Sequence, residues 1–579
     1  MIKNKILFSV CILFIGLTSC EDVLDKEPLG IISDAQVWND ENLVDASLTH
    51  LYSVTNFNDV FGDFQYKNVV NTDEARTCFG WSDILNVFTL GIINPDNIGN
   101  GAYLGYWDYN VIRGYNEFLT FLEQSTLSTE FKVQRAAEVR FLRAFHYYNL
   151  AMRYGGVPLI TKPQDINDPD IFVSRNTELE VYNFILEELN AVIEILPEQY
   201  DSENQGRISK YGALALKSRA MLYAASIAEY STVQLDGILG VPQSEEARFY
   251  QESYNASKQI IESGHFTLFN RYPNDKARNY QSLFLEENNA EVIFAKKYVG
   301  VDYGNDYDYY NQPLSYKPFV ASVINPTLEM VDSYEFKDGS PGTSINYNQE
   351  ISTATLYSNK DPRFHASILY NEAFWIDTQI ETYYFTIPSN INTDPRNNSL
   401  SGRGKDVNNN PNAGATQTGF CVKKYLKPER DIPLGSETTT DFIIFRLGEI
   451  YLNLSEAAFA LNKPAEALTN LNIIRTRAGM PDKLSIDMDI IKNERKVELA
   501  FEGIRFWDVR RWRTAEQDLS GVFSKLTTYY IRSRDTYGYL IQNAQGNRSR
   551  SFLKQHYYMP LRRIHITENP NLVQNPGYN

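Results

Sequence analysis

The sequence has few of the residues on which most metal proteins and many enzymes depend. Its 579 residues include four cysteines and six histidines, with no C-x-x-C, no H-E-x-x-H and no histidine pair at ligand spacing. Asp302, Asp306 and Asp308 could help to hold calcium, but the glycine and the terminal glutamate of an EF-hand are missing. The sequence therefore predicts no catalytic residue, no bound metal and no cofactor.

Positive charge is also scarce. Lys and Arg total 55 against 72 Asp and Glu, which gives a net charge of -17. Affinity for nucleic acid comes mainly from basic side chains that neutralise phosphates. The composition therefore argues against a nucleic-acid partner and against electrostatic adhesion to an anionic membrane surface.

Long apolar runs are absent except at the N-terminus. Lys3 and Lys5 precede an almost wholly apolar stretch from Ile6 to Leu17, which is too short to span a bilayer but fits a secretory signal peptide. Leu17-Thr18-Ser19-Cys20 resembles a bacterial lipobox. We therefore predict a lipoprotein signal at 1–19, acylation of Cys20 and a lipid tether at 20–36. The alternative is that Cys20 is a core cysteine in a buried segment.

Disulfide bonds contribute little to the expected fold. Cys11 falls in the predicted signal and Cys20 in the predicted lipid site, which leaves Cys78 and Cys421. These two could pair in an oxidising compartment, but nothing in the sequence brings the two positions together, so we predict two unpaired thiols in preference to a disulfide.

Helical patterns dominate residues 37–264. Apolar residues recur at helical spacing over Gln134–Met152, and Tyr154–Pro158 then ends the helix. The next helix opens with Thr177 and Glu180, which together match a capping box. Further helices are predicted to begin near Ser209 and to span Glu245–Ser263.

Small and large residues alternate on these helices in a way that is typical of close helix packing. The Ala137-x3-Phe141 spacing is similar to the tetratricopeptide pattern of paired helices. A generic helical bundle is the alternative. Helices are predicted again over Asp441–Leu461 and Pro464–Ala478, so we expect one mainly α, tetratricopeptide-like scaffold whose C-terminal helices, at 441–579, complete it.

The segment 265–440 has a different composition. It is rich in Tyr, Asn, Asp, Pro and Gly, and shows no helical stripe longer than two turns. Long polar segments of this kind are usually binding loops or disordered. We predict a loop-rich insertion into the scaffold.

A run of acidic residues near the C-terminus could form either a catalytic site or a structural ion-pair network. Glu494, Glu498 and Glu502 repeat at a spacing of four, with arginines at 495, 505, 510 and 511 close by. Like charges on one helix face repel each other unless they are neutralised. We interpret the run as a buried ion-pair network that holds the last helices in place, in preference to a catalytic site.

Several motifs, in this order, resemble the SusD/RagB family of outer-membrane nutrient-binding lipoproteins of Bacteroidota. Besides the lipobox at Cys20, they are AAEVRFLRAFHYYNLAMRYGGVPLI, GRISKYGALALKSRAMLYAAS, DPRFHASIL, FRLGEIYLNLSEAAFALN, LNIIRTRAGMP, IKNERKVELAFEGIRFWDVRRW and ENPNLVQNPGY. The resemblance implies a tetratricopeptide-like scaffold, with 265–440 as its ligand-binding insertion. It also implies a SusC-type TonB-dependent transporter as partner, an outer-membrane location facing the cell exterior, and Glu21 and Asp22 as an export signal.

Sugars present flat C–H faces to aromatic rings and hydroxyl groups to polar side chains, so we expect aromatic and polar loop residues to contact the ligand. The family gathers its binding surface from loops near the N-terminal helices and from the insertion. The candidates are Trp81, Asp73, Arg76, Asp40, Tyr307, Tyr309, Tyr310, Arg363 and Tyr383. For Trp81 a packed loop anchor is an equal alternative, for Asp40 a helix cap, and for Arg363 a turn with a local ion pair to Asp361.

These features together predict a surface glycan-binding lipoprotein without catalytic activity. A peptide-binding or protein-binding lipoprotein of the same family is the first alternative. A surface glycosidase is the second, because an acidic chain offers many candidates for the two carboxylates that such enzymes need.

Overall fold

A computed structural model describes most of the chain beyond the predicted signal and tether. The residues described are 37–62, 66–78, 87–98, 105–202, 204–300, 302–316, 321–386, 400–408, 414–431, 435, 437–544 and 548–578. Cys20, the predicted lipid site, and Trp81, the predicted stacking residue, lie outside them.

Helices form most of the scaffold. In chain order they are α1 Glu41–Val54, α2 Lys67–Val70, α3 Tyr109–Gln124, α4 Thr129–Tyr154, α5 Glu178–Ile193, α6 Lys210–Tyr230, α7 Glu246–Glu262, α8 Lys276–Leu283, α9 Tyr307–Asn311, α10 Leu328–Ser333, α11 Thr353–Tyr357, α12 Pro362–Ser367, α13 Leu447–Ala460, α14 Pro464–Ala478, α15 Met488–Glu498, α16 Arg505–Arg511, α17 Ala515–Asp518 and α18 Arg563–Glu568. Within the described ranges, no helix is both long enough and apolar enough to cross a bilayer.

The scaffold helices pack in sequence order, each on the next. Helices α3 to α7 form such a series, and α7 then packs on α13, which packs on α14. The series therefore continues across the insertion. A polar contact marks this junction, because Asn453 of α13 donates a hydrogen bond to Ser218 of α6 (3.0 Å), whose hydroxyl also contacts Ser257 of α7 (2.7 Å). The prediction of a mainly α, tetratricopeptide-like scaffold interrupted by an insertion is confirmed.

Several helices begin and end where capping and stop residues in the sequence predicted. Thr177 and Glu180 form the predicted capping box. Pro464 opens α14, and Gly479 ends it in the left-handed conformation (φ 79°) that glycine adopts most readily.

The predicted helix over Asp441–Leu461 begins later than expected. Phe442–Arg446 is strand β10, which pairs with β2, and α13 starts only at Leu447. All five strand residues are buried. A short run that is buried throughout cannot be assigned to helix or strand from periodicity, which explains the error.

The strands are short except for one hairpin. In chain order they are β1 Ala75–Thr77, β2 Val292–Lys296, β3 Ile324–Pro326, β4 Ile368–Leu369, β5 Phe374–Trp375, β6 Thr378–Gln379, β7 Tyr383–Thr386, β8 Leu400–Arg403, β9 Cys421–Val422, β10 Phe442–Arg446, β11 Ser524–Ile531 and β12 Thr536–Asn543. Strands β12, β11, β7 and β8 form a four-stranded sheet in that order. The sheet joins the insertion, through β7 and β8, to the C-terminal hairpin β11–β12, which the sequence analysis did not predict.

An ion-pair network, buried except at the half-buried Glu335 and Lys483, also attaches the insertion to the scaffold. Its acidic members are Glu291, Glu335, Asp361, Glu494, Glu498 and Glu502, and its basic members are Arg363, Lys424, Arg446, Arg475, Arg477 and Lys483. The formal charges of this set balance. Buried charges need such pairing, because an isolated one loses several kcal/mol of hydration.

The interpretation of the acidic run as a buried network is therefore confirmed, but its partners differ from those expected. The arginines close to the acidic run in sequence pair with other carboxylates. Arg495 and Arg511 pair with Asp508, and Arg505 pairs with Asp73. The basic partners of the acidic run come instead from β10, α14 and the insertion, because proximity in sequence does not place side chains on the same side of a helix.

The two predicted free cysteines are confirmed. Cys78 and Cys421 are buried and unpaired, and burial raises the pKa of each thiol to about 12. Both thiols are therefore protonated and unreactive near neutral pH.

Candidate functional site

One face of the four-stranded sheet carries a cluster of aromatic rings. Tyr383 and Phe385 are two residues apart on β7, Tyr530 of β11 lies opposite Phe385, and Tyr537 of β12 lies opposite Tyr530. Side chains alternate along a strand, so this register places all four on one side. We call these four residues the aromatic face.

The rings of the aromatic face contact one another and remain partly accessible to solvent. Ring centroids are 5.7 Å apart for Tyr383 and Tyr530, 5.6 Å for Tyr383 and Tyr537, and 5.4 Å for Tyr530 and Tyr537. All four residues are half-buried. The guanidinium of Arg532, an exposed residue, lies 4.0 Å from the centroid of the Phe385 ring. The face thus combines contiguous apolar ring surface with a cation at its edge.

Polar groups fix the phenol rings in position. The Tyr530 hydroxyl donates a hydrogen bond to Asp535 (2.6 Å), and this bond raises the pKa of Tyr530. Burial and the nearby charge of Glu372 raise the pKa of Tyr537 to about 12. Both phenols are therefore neutral at physiological pH and can exchange hydrogen bonds with a ligand hydroxyl group.

The opposite face of the sheet forms a small polar pocket. Its volume is about 240 Å³, and its lining includes Thr382, Tyr384, Lys525, Thr527 and Gln542. Thr527 already donates a hydrogen bond to Gln542 (2.8 Å). The two sides of the sheet therefore offer different chemistry, ring surface on one and hydrogen-bonding groups on the other.

Of the sequence candidates, Tyr383 and Arg76 lie at this sheet. Arg76 donates a hydrogen bond to the carbonyl oxygen of Ala544, the residue after β12. Burial and the charge of Arg76 together lower the pKa of Lys525, which places the two cations near each other at the end of the hairpin. A polar role for Arg76 beside a ligand remains a prediction.

Asp73, predicted to act beside Arg76, faces the interior instead. It is 5% exposed and pairs with Arg505 at 2.9 Å and with Lys496 at 2.8 Å. Burial opposes ionisation, but these two cations hold the pKa of Asp73 well below its usual range. Asp73 is therefore a structural ion-pair partner, and we remove it from the proposed site.

Arg363 and Asp40 also have structural positions. Arg363 is 1% exposed and contacts Asp361 (2.8 Å), Glu494 (2.6 Å) and Glu498 (3.0 Å) of the buried network. The alternative interpretation, a turn with an ion pair to Asp361, therefore describes it correctly. Asp40 is the N-cap of α1 and accepts hydrogen bonds from the backbone at 42 and 43.

The three tyrosines of the insertion differ in exposure. Tyr307 is fully buried, with its ring 4.6 Å from that of Phe61, and its hydroxyl donates to the carbonyl oxygen of Lys424 (3.2 Å). A ligand has no access to Tyr307, so this prediction is corrected. Tyr309 and Tyr310 are half-buried and meet edge to face at 5.0 Å. They remain predicted platform residues.

The sequence analysis missed Phe385, Tyr530, Tyr537 and Arg532. A signal for Tyr530, Arg532 and Tyr537 was present, because TTYYIRSRDTYGYLIQ has two runs rich in Thr, Tyr and Ile on either side of the polar segment 532–535, as hairpins do. The residues described contain no group of three or more metal-ligating side chains that could hold an ion.

The helical-repeat scaffold, with a loop-rich insertion held by buried ion pairs, defines the class of protein. Two family models match the chain, the SusD family over residues 290–578 and "starch-binding associating with outer membrane" over residues 22–222. The chain belongs to the SusD family, as the sequence motifs indicated.

Individual relatives match the chain along almost their whole length. SusD-like protein P38 of Formosa agariphila is 24% identical, covering 100% of this chain and 99% of that protein. The crystal structure of a SusD-like protein from Bacteroides fragilis superposes with a TM-score of 0.74 at 25% identity, covering 96% and 100% of the two chains. A laminarin-binding SusD-like protein superposes with a TM-score of 0.62 at 21% identity, covering 93% and 100%.

Proposed function

We propose that the protein is a cell-surface lipoprotein that binds glycans and delivers oligosaccharides to a SusC-type TonB-dependent transporter. Support comes from the family model described as starch-binding and associated with the outer membrane. It also comes from two solved relatives, one described as a carbohydrate-binding protein and the other as laminarin-binding. In this proposal acylated Cys20 holds the protein on the outer membrane, facing the cell exterior.

The aromatic face is the observation that carries the proposal. Pyranose rings stack their C–H faces on aromatic rings, and the four rings at Tyr383, Phe385, Tyr530 and Tyr537 provide several adjoining stacking positions. Each ring is already held by its neighbours, so little side-chain freedom is lost when a ligand binds. Arg532 and the phenol hydroxyl groups supply hydrogen bonds at the edges of the rings.

Binding without catalysis fits the groups around the face. Glycosidases need two carboxyl groups about 5 to 10 Å apart on either side of the scissile bond. Asp535 and Glu381 accept hydrogen bonds from the hydroxyl groups of Tyr530 (2.6 Å) and Tyr383 (3.5 Å). This arrangement positions the rings and engages both carboxylates. For a peptide ligand we would expect a longer groove of mixed polarity.

Calorimetric titration of the Tyr530→Ala variant tests the proposal. Starch-derived and laminarin-derived oligosaccharides serve as ligands, because relatives carry those descriptions. Loss of a stacking ring worth about 1–2 kcal/mol should lower the affinity for the bound glycan roughly tenfold or more. The melting temperature should change little, because the ring is partly exposed.

A tyrosine away from the sheet provides the matched control. Tyr272 is half-buried beside Arg271 and Arg278, and Tyr272→Ala should leave glycan affinity unchanged. If both variants bind as the wild type does, the aromatic face is not the binding surface. Chromatography of the glycan after long incubation tests catalysis, and products that accumulate with time would favour the glycosidase.

A further inference from the structure

Among the residues that the structure describes, Arg510 is a buried cation with neither a hydrogen-bond acceptor nor an ion-pair partner. Its side chain is 0% exposed, and none of its three nitrogens reaches a hydrogen-bond acceptor among the described residues. No carboxylate in the described ranges forms an ion pair with it. The neighbouring arginines differ, because Arg511 pairs with Glu456 and Asp508, and Arg513 donates to the Tyr558 hydroxyl (2.8 Å).

The guanidinium lies within a cage of aromatic rings. Its central carbon is 5.0 Å from the ring centroid of Phe506, 5.5 Å from that of Phe552 and 5.9 Å from that of Trp507. Cation–π contacts of this kind stabilise a desolvated cation. They leave the N–H groups without acceptors, and a buried donor of a charged group that lacks an acceptor is destabilising.

His556 lies against the same Phe552 ring as Arg510 and has a further N–H donor. It is fully buried, and its ring centroid is 5.5 Å from that of Phe552. Nδ1 accepts a hydrogen bond from the backbone of Leu553 (3.0 Å), so the neutral ring carries its proton on Nε2. Nε2 has no partner among the described residues. Burial and the charge of Arg510 lower the pKa of His556 to about 4, which keeps this ring neutral.

Burial also affects Arg510, but not enough to remove its charge. It lowers the pKa of Arg510 to about 10, so the guanidinium stays protonated at neutral pH. The site therefore holds one full positive charge and a neighbouring neutral N–H donor. Water satisfies donors but supplies no countercharge, and a buried charge without a countercharge is strongly destabilising.

We propose that Arg510 and His556 form an internal binding site for a small monovalent anion of halide size, held between α16 and the segment around Phe552. One positive charge suits one negative charge, and N–H donors that lack acceptors on Arg510 and His556 suit a small ion that only accepts hydrogen bonds. The anion stabilises the contact between the C-terminal segment and the scaffold. The site is separate from the aromatic face, and the proposal does not depend on the proposed function.

Two measurements test the site. The melting temperature is recorded while chloride replaces gluconate, a much larger anion, at constant ionic strength. A saturable rise of about 1–3 °C is expected for the wild type, as for any ligand that binds only the folded state. Crystals of the full chain grown in bromide should show an anomalous peak at the Arg510 guanidinium.

Matched variants separate this site from general salt effects. Arg510→Met keeps the apolar volume and removes the charge, so its melting temperature should not respond to chloride. Arg113→Met removes an exposed arginine paired with Glu117 and should retain the full response. If Arg510→Met does not fold, the bromide experiment on the wild type decides alone. The absence of a bromide peak, or an equal chloride response in Arg510→Met, would overturn the proposal.

Discussion

Replacing Glu498 by Gln should be among the most damaging single substitutions in the protein. Glu498 is 0% exposed and contacts Arg446 at 2.7 Å, Arg363 at 3.0 Å, and Arg477. At an effective dielectric constant of about 20, each pair of charges 4 Å apart contributes roughly 4 kcal/mol of attraction. Loss of hydration offsets most of that gain. Removing one partner nevertheless leaves guanidinium charge unbalanced in the interior, so we expect a loss of about 3–5 kcal/mol.

Urea denaturation followed by tryptophan fluorescence measures this effect. The control is Glu117→Gln, which is the same substitution at an exposed pair, 2.7 Å from Arg113. Exposed pairs contribute about 0–1 kcal/mol, so the control should unfold almost as the wild type does. Domains have about 5–15 kcal/mol of total stability, so the Glu498 variant should show a clearly lower midpoint.

A loss below about 1 kcal/mol for Glu498→Gln, similar to that of the control, would refute this reasoning. Such a result would mean that water or rearranged side chains compensate the three guanidinium groups. It would also remove the argument that the network holds the insertion in place.

Three other changes have expected outcomes. Burial and the charge of Asp73 raise the pKa of Glu74 to about 8, so the folded state binds one more proton than the unfolded state between about pH 4.3 and 8. The free energy of unfolding should therefore fall as pH rises through that window. Thermal melts should show this decline, and Glu74→Gln should flatten it. In Gly538→Ala the new Cβ would lie 2.3 Å from the Tyr529 ring, so urea denaturation should show a loss of about 1–3 kcal/mol unless a smaller residue replaces Tyr529. Cys20→Ala should release the protein from membranes, and retention after high-salt and carbonate washes would contradict acylation unless the transporter alone holds the variant.

Local features of the sequence predicted the scaffold well. Helix caps such as Thr177 with Glu180, and stop signals such as Gly479, act within a few residues of the chain, so they can be identified from sequence alone. Strand β10 was missed because residues 442–446 are buried throughout and carry no periodic signal. Its pairing with β2 depends on a segment roughly 150 positions away.

The candidate site was predicted only in part, because a sheet assembled from distant segments forms it. Tyr383 was identified, but its neighbours Tyr530 and Tyr537 follow more than 140 positions later. The parallel register of β7 and β11 determines which rings become adjacent. The amino-acid composition of the two strands does not specify this register. Other residues were predicted wrongly as ligand contacts. Asp73, Tyr307 and Arg363 have side chains typical of sugar contacts, but they lie in the interior, and the sequence does not show this burial.

The origin of the sheet links the ion-pair network to the proposed binding surface. Tyr383 and Phe385 belong to the insertion, whereas Tyr530 and Tyr537 belong to the hairpin of the C-terminal segment. The aromatic face therefore exists only while the insertion is docked on the scaffold. Arg363 and Lys424 dock it through Glu498 and Glu502, both buried deep in the core. These buried ion pairs therefore hold β7 in the position where its rings meet those of the hairpin, so a change in the network should also disturb the proposed binding surface.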